Sequence, residues 1–152
     1  IIDKKKYCAK NKIKFVEKDF LYNNSDIISI HTPLNHTTHN LINNQTIALM
    51  KKAPYIINTA RGGIINEKDL LEAVKKNLIK GAALDVFEKE PLSIKAIYES
   101  EQIICTPHIS GNSALAINKM GLSAIKFVKT YYRTNECSNI CILMKIRIKN
   151  HT

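Results

Sequence analysis

Five short, mostly apolar runs constrain the fold more than any other feature of this sequence. They are IKFV (13–16), DIISIH (26–31), YIIN (55–58), GAALDVF (81–87) and IICT (103–106). Each is continuous rather than alternating, the pattern of strands covered on both faces, as in a parallel sheet. Two of them are stopped by Thr-Pro, at Thr32-Pro33 and Thr106-Pro107. The segments between them read as helices. Asn66 can cap a helix from Glu67 to about Lys76, with Asp69 three residues on as a capping-box analogue. Leu70, Leu71, Val74 and Leu78 then fall on one side of it. Gly81 ends that unit and opens the next strand. Asn43 to Lys52 predicts a shorter helix. Asn112 or Ser113 can cap a longer one through Leu115, Ile117, Met120, Leu122, Ile125 and Val128 to about Tyr132. Strands alternating with helices of this length predict βαβ units. The expected class is α/β, with helices on both faces of a mostly parallel sheet. The tail segment KIRIK is either an edge strand or without regular structure.

Composition narrows the setting. The 152 residues are 45% hydrophobic and 24% charged, an ordinary globular balance. No run approaches the ~20 apolar residues of a bilayer span, so no membrane partner is expected. The start, IIDKKKYCAK, has no apolar stretch behind its basic residues, so no signal peptide is read there. Cys8, Cys105, Cys137 and Cys141 form no C-x-x-C and read as free thiols of a cytoplasmic protein. The net charge is +10, which in another sequence would suggest nucleic acid. Here the lysines follow a drift toward Lys, Ile and Asn and lie on helix faces and in turns. The densest cluster, DKKKYCAKNKIK, lacks interleaved aromatics for stacking bases. Nucleic-acid binding is not expected.

In open parallel sheets, ligands bind beyond the carboxyl ends of the strands. That rule selects Thr32 and Pro33 after one strand and Thr59, Ala60 and Arg61 after the next. It also selects Asp85, Glu88 and Glu90 at or beyond a third, and Pro107 and His108 after the last. Arg61, in INTARGGIIN, is either a solvated turn residue or the holder of an anion. An arginine fork donates two parallel hydrogen bonds to a carboxylate, and the glycines after it allow a sharp turn. His108 can exchange a proton near neutral pH, and Glu90 beside it would favour the imidazolium. His36 and His39 form an H-x-x-H that is too sparse for a zinc site, so no metal is expected.

Four segments, SDIISIHTPLNHTTHNLI, INTARGGIINEKDLLEAV, GAALDVFEKEP and TPHISGNS, resemble the D-isomer-specific 2-hydroxyacid dehydrogenases, nearest to the D-3-phosphoglycerate dehydrogenase type. The likeness covers about residues 1 to 135. Glu90 follows Arg61 by 29 residues and His108 follows Glu90 by 18, in the family's order. The resemblance implies a Rossmann-type fold and hydride transfer between NAD(H) and a small 2-keto or 2-hydroxy acid. It implies that Arg61 anchors the substrate carboxylate, that His108 is the acid/base and that Glu90 supports it. It places NAD against Asp3, Thr32, Thr59, Ala60, Arg61, Asp85, His108, Ser110 and Gly111, with Asp3 on the adenosine ribose and Asp85 facing the nicotinamide carboxamide. It implies a homodimer for the complete protein.

The departures from the family are large. Gly62, Gly63, Gly81, Gly111 and Gly121 form no G-x-G-x-x-G. The family's pyrophosphate loop and first strand are expected upstream of Ile1, which leaves the strand at 26–31 without its inner neighbour. Residues 1–111 are expected to form part of an NAD-binding domain, 112–135 a crossover helix and 136–152 a tail of undefined structure. Two readings follow. One is a fragment of an NAD-dependent oxidoreductase, inactive alone. The other is a non-enzymatic remnant or small α/β interaction module.

Overall fold

The computed structural model describes residues 4–134. Asp3, the KIRIK segment and the rest of the tail lie outside the described residues. The chain divides into two compact units, Ile1–Ser110 and Gly111–Thr152.

The first unit is built on four strands, β1 (Ile27–Ile30), β2 (Tyr55–Asn58), β3 (Gly81–Leu84) and β4 (Ile103–Cys105). They are parallel throughout and lie side by side in chain order. Each therefore ends at the same edge of the sheet. The helices of this unit are α1 (Lys4–Lys10), α2 (Lys18–Asn24), α3 (Asn44–Ile47), α4 (Glu67–Lys75) and α5 (Lys95–Tyr98). Four of the five expected strands form. The fifth, at 13–16, does not: it has no ladder partner among the described residues, and Ile13 and Phe15 stay about half exposed. An extended apolar run becomes a strand only where a neighbour accepts its backbone hydrogen bonds.

Coverage of the sheet is uneven. Ile28, Ile30, Ile56, Ala82, Leu84 and Ile103 are buried, with Ile47, Leu70, Val74, Ile79 and Ile97 in the same core. On the alternate positions Ile27, Tyr55 and Ile104 are at least half exposed. β3 is close to continuously buried, as its sequence predicts. β1 alternates instead, because this outer strand is covered on one face only.

The helix α4 shows how local sequence sets these elements. Asn66 accepts a hydrogen bond from the Asp69 N–H at 3.1 Å and so caps the helix. Asp69 does not complete a capping box. Its carboxylate accepts from the Asn44 N–H at 2.8 Å and ties α3 to α4. The reciprocal box occurs on α3, between Asn43 and Thr46. Leu70, Ala73 and Val74 bury the inner face of α4. The helix closes at Asn77, in the left-handed region at φ 54°. Asn77 N–H donates to Val74 O and Leu78 N–H to Ala73 O, the paired bonds of a Schellman closure. Leu78 thus follows the helix rather than continuing its apolar face, and it is 46% exposed where the spacing predicted burial. Gly81 follows because a Cβ there would stand 2.6 Å from the Gln102 carbonyl.

The second unit contains α6 (Ala114–Thr134). Of the two candidate caps Ser113 acts, accepting from the Ala116 N–H at 3.1 Å. Among the described residues, no helix is long and apolar enough to cross a membrane.

Candidate active site

The turn after β2 is organised from below by Asn58, whose side chain is buried in an otherwise apolar strand. Its Oδ1 accepts from the Ala60 N–H at 3.0 Å and its Nδ2 donates to the Arg61 carbonyl at 2.9 Å. This clamp fixes the backbone on both sides of the arginine. Gly62 lies under the Phe87 carbonyl so closely that any Cβ would overlap it, and Gly63 takes φ 75°. Those two contacts explain the pair of glycines. The Arg61 guanidinium is exposed, and Nη1 donates to the Ala60 carbonyl at 2.6 Å. Among the described residues no carboxylate pairs with it. With His31, Thr32, Pro33, Leu34, Thr59 and Ala60 it lines an open recess of about 600 Å³. Thr32 Oγ1 is buried at this recess and has no hydrogen-bond partner among the described residues.

The loop after β3 carries Glu90. Its Oε1 accepts from the Phe87 N–H at 3.1 Å and its Oε2 meets His108 Nδ1 at 2.9 Å. The His108 bond, then the Phe87 N–H, holds the Glu90 carboxyl below its usual pKa. His108 sits in the left-handed region at φ 54°, a strained conformation for a residue with a Cβ. Its N–H donates to Thr106 O at 3.0 Å. Glu90 and His108 border a pocket of about 440 Å³, walled by Phe87, Pro91, Leu92, Tyr98, Cys105 and Pro107.

Asp85 holds this loop in place. Only 2% exposed, it accepts from Thr106 Oγ1 at 2.5 Å and from the Ile109 and Ser110 N–H groups at 2.9 Å each. Burial pushes its pKa up. Hydrogen bonds from the Ser110 and Thr106 side chains and the two N–H groups outweigh that, and the carboxyl stays far below the usual range. Both Asp85 oxygens are thus engaged by the loop that presents His108, whereas the resemblance sets this carboxylate toward a nicotinamide carboxamide.

The structure therefore gathers Thr32, Thr59, Ala60 and Arg61 at one recess. It gathers Asp85, Glu90, His108 and Ser110 around the loop after β4. Gly111 opens the second unit, and Asp3 is outside the described residues. The sequence reading missed Asn58, Thr106 and Glu67. Glu67, in the first turn of α4, is 6% exposed and accepts from the Glu88 N–H at 2.6 Å. Burial raises its pKa, the Glu88 N–H lowers it, and the Glu88 charge raises it. No local sequence signal marks Thr106 or Glu67, whose bonds each span 21 residues.

Residues 2–110 match the sequence profile of the D-isomer specific 2-hydroxyacid dehydrogenase, NAD binding domain. The chain belongs to the D-isomer-specific 2-hydroxyacid dehydrogenases. It is 41% identical over 109 residues to a glyoxylate reductase of Thermofilum pendens, a match covering 71% of this chain and 32% of that protein. It is 38% identical over 117 residues to a hydroxypyruvate reductase of Thermotoga maritima, covering 75% and 38%. Among solved structures it resembles a glyoxylate reductase from Paecilomyes thermophila, with TM-score 0.79, 29% identity and coverage of 85% and 39%. The chain thus spans about a third of the length of these dehydrogenases. NAD is the cofactor of the family's matched domain. The Thr32 recess fits such a ligand: it is concave and, among the described residues, its buried Thr32 hydroxyl has no partner and its arginine pairs with no carboxylate.

Proposed function

We propose that this chain supplies part of the NAD site and the acid/base pair of a cytoplasmic enzyme that reduces a small 2-keto acid to its D-2-hydroxy acid. The observation that carries the reading is the His108–Glu90 pair, with Nδ1 held at 2.9 Å on a strained, clamped turn. A carboxylate on Nδ1 leaves Nε2 for the substrate and fixes the tautomer. Arg61 would bind the substrate carboxylate with its planar fork. His108 would donate a proton to the carbonyl oxygen in reduction and remove it in the reverse direction. Thr32, Thr59 and Ala60 would line the cofactor, which when bound supplies or accepts the hydride. Ser110 and Gly111 follow the histidine as small residues of the cofactor-binding set, and Asp3 would accept hydrogen bonds from the adenosine ribose. The names of the relatives support glyoxylate or hydroxypyruvate as substrate class, and a homodimer is proposed for the complete protein.

The test joins residues 1–110 to the segment of the Thermofilum pendens glyoxylate reductase that the match leaves out. Consumption of NADH is then followed with glyoxylate, hydroxypyruvate and pyruvate. Turnover with at least one of them is expected. A folded hybrid that binds NADH and reduces none of a broad panel of 2-keto acids would overturn the reading.

A further inference from the structure

Glu67 lies outside every role assigned so far, yet it joins the two halves of the candidate site. It belongs to the first turn of α4, the helix that the Arg61-Gly62-Gly63 turn leads into. Its Oε1 takes the N–H of Glu88 at 2.6 Å, across 21 residues of chain. One residue earlier, the Phe87 carbonyl rests on Gly62 with no space for a Cβ. The Phe87 N–H is bound by Glu90 Oε1, and Glu90 Oε2 holds His108. The Phe87–Glu88 backbone is thus fixed by Gly62, Glu67 and Glu90, and the third of these reaches the histidine.

A first-turn acid on an ordinary helix points outward and serves the helix dipole. Glu67 is instead buried, and burying a carboxylate is unfavourable unless hydrogen bonds compensate. The buried carboxylate accepts a backbone N–H of the loop that carries Glu90, so the geometry, rather than the dipole, accounts for its placement.

We propose that Glu67 is a positioning residue that locks the Glu88–Glu90 loop to the Arg61 turn and thereby sets Glu90 against His108 Nδ1. The proposal rests on the reading of His108 as the acid/base, but its test needs no turnover. The full 152-residue chain is prepared unaltered and as E67Q, E67A and E90Q, and the ring nitrogens of His108 are observed by ¹⁵N NMR. E90Q defines the ring when its carboxylate partner is lost. In E67A the His108 ring shifts should move toward the E90Q pattern. In E67Q, whose amide oxygen still accepts the Glu88 N–H, they should stay with the unaltered chain. A dipole role predicts that E67Q and E67A behave alike, because both remove the charge; equal shifts in the two, or unaltered shifts in E67A, overturn the proposal. Should E67A not fold, amide exchange decides: the Glu88 N–H should exchange more slowly than that of Lys89 in the unaltered chain and in E67Q. A Glu88 amide as fast as Lys89 in the unaltered chain overturns it. Failure here leaves the dehydrogenase reading intact, and absence of turnover in the hybrid leaves this one intact.

Discussion

At the scale of residues, buried polar groups hold the turn of Arg61 and the loop of His108 in place. Asp85 is the clearest case. Replacing it by Asn keeps one acceptor for Thr106 and Ile109 but sets an NH₂ group against the Ser110 N–H. A buried donor left unpaired costs about 1–3 kcal/mol, so D85N should lower the urea midpoint by a matching amount without changing the slope. Its pKa is depressed in the folded state, so its stabilisation is present above the unfolded value of about 3.9 and is lost as pH falls toward the folded value. The melting temperature of the unaltered chain should therefore fall more steeply between about pH 5 and about pH 2 than that of D85N. Parallel slopes would remove Asp85 as a source of acid sensitivity. The placement of Arg61, Glu90 and His108 beyond strand ends was legible in chain order, because Arg61 and His108 each stand three residues past a strand and Glu90 stands before a proline. Asn58, Glu67 and Thr106 were not. The Glu67 and Thr106 bonds each span 21 residues, and no local pattern encodes such a pairing. The Asn58 clamp is local, within three residues, but an asparagine ending a strand does not reveal that its amide is buried beneath the turn.

At the scale of elements, the strands at 27–30, 55–58, 81–84 and 103–105 were readable because apolar runs bounded by Gly, Pro or Thr have few other uses. The misread run at 13–16 is also mostly apolar but has no ladder partner among the described residues, which composition does not report. Leu78 was misassigned for a related reason: helical spacing says where a side chain would point if the helix continued, and Asn77 ends it. Two substitutions test the element account. N66A removes the cap on α4 and should cost about 0.5–2 kcal/mol in denaturant unfolding; no change would mean that the cap is dispensable. G62A forces a methyl into the Phe87 carbonyl. Overpacking of this kind costs about 1–3 kcal/mol, and amide shifts should spread from the Arg61 turn to residues 87–90. Shifts confined to residues 61–63 would contradict the coupling of the two loops.

At the scale of the whole molecule, the parallel sheet brings strand ends together at one edge, and Arg61, Glu90 and His108 lie beyond those ends. The 152-residue polypeptide has five glycines and no G-x-G-x-x-G among them. Hydrogen bonds to a charged pyrophosphate contribute about 1.5–3 kcal/mol each, and each ~1.4 kcal/mol is tenfold in affinity. Calorimetric titration of this polypeptide with NADH should therefore show binding far weaker than micromolar, and micromolar binding would show that the recess at Thr32 and Arg61 suffices. The claim that His108, set by Glu90, is the acid/base is tested most directly in the hybrid with the Thermofilum pendens segment, by comparing kcat for the unaltered hybrid and its H108A variant. Proton transfer by a positioned group contributes about 10²–10⁴-fold, so H108A should lose that factor in kcat while still binding NADH. A kcat within a few-fold of the unaltered hybrid would contradict the account.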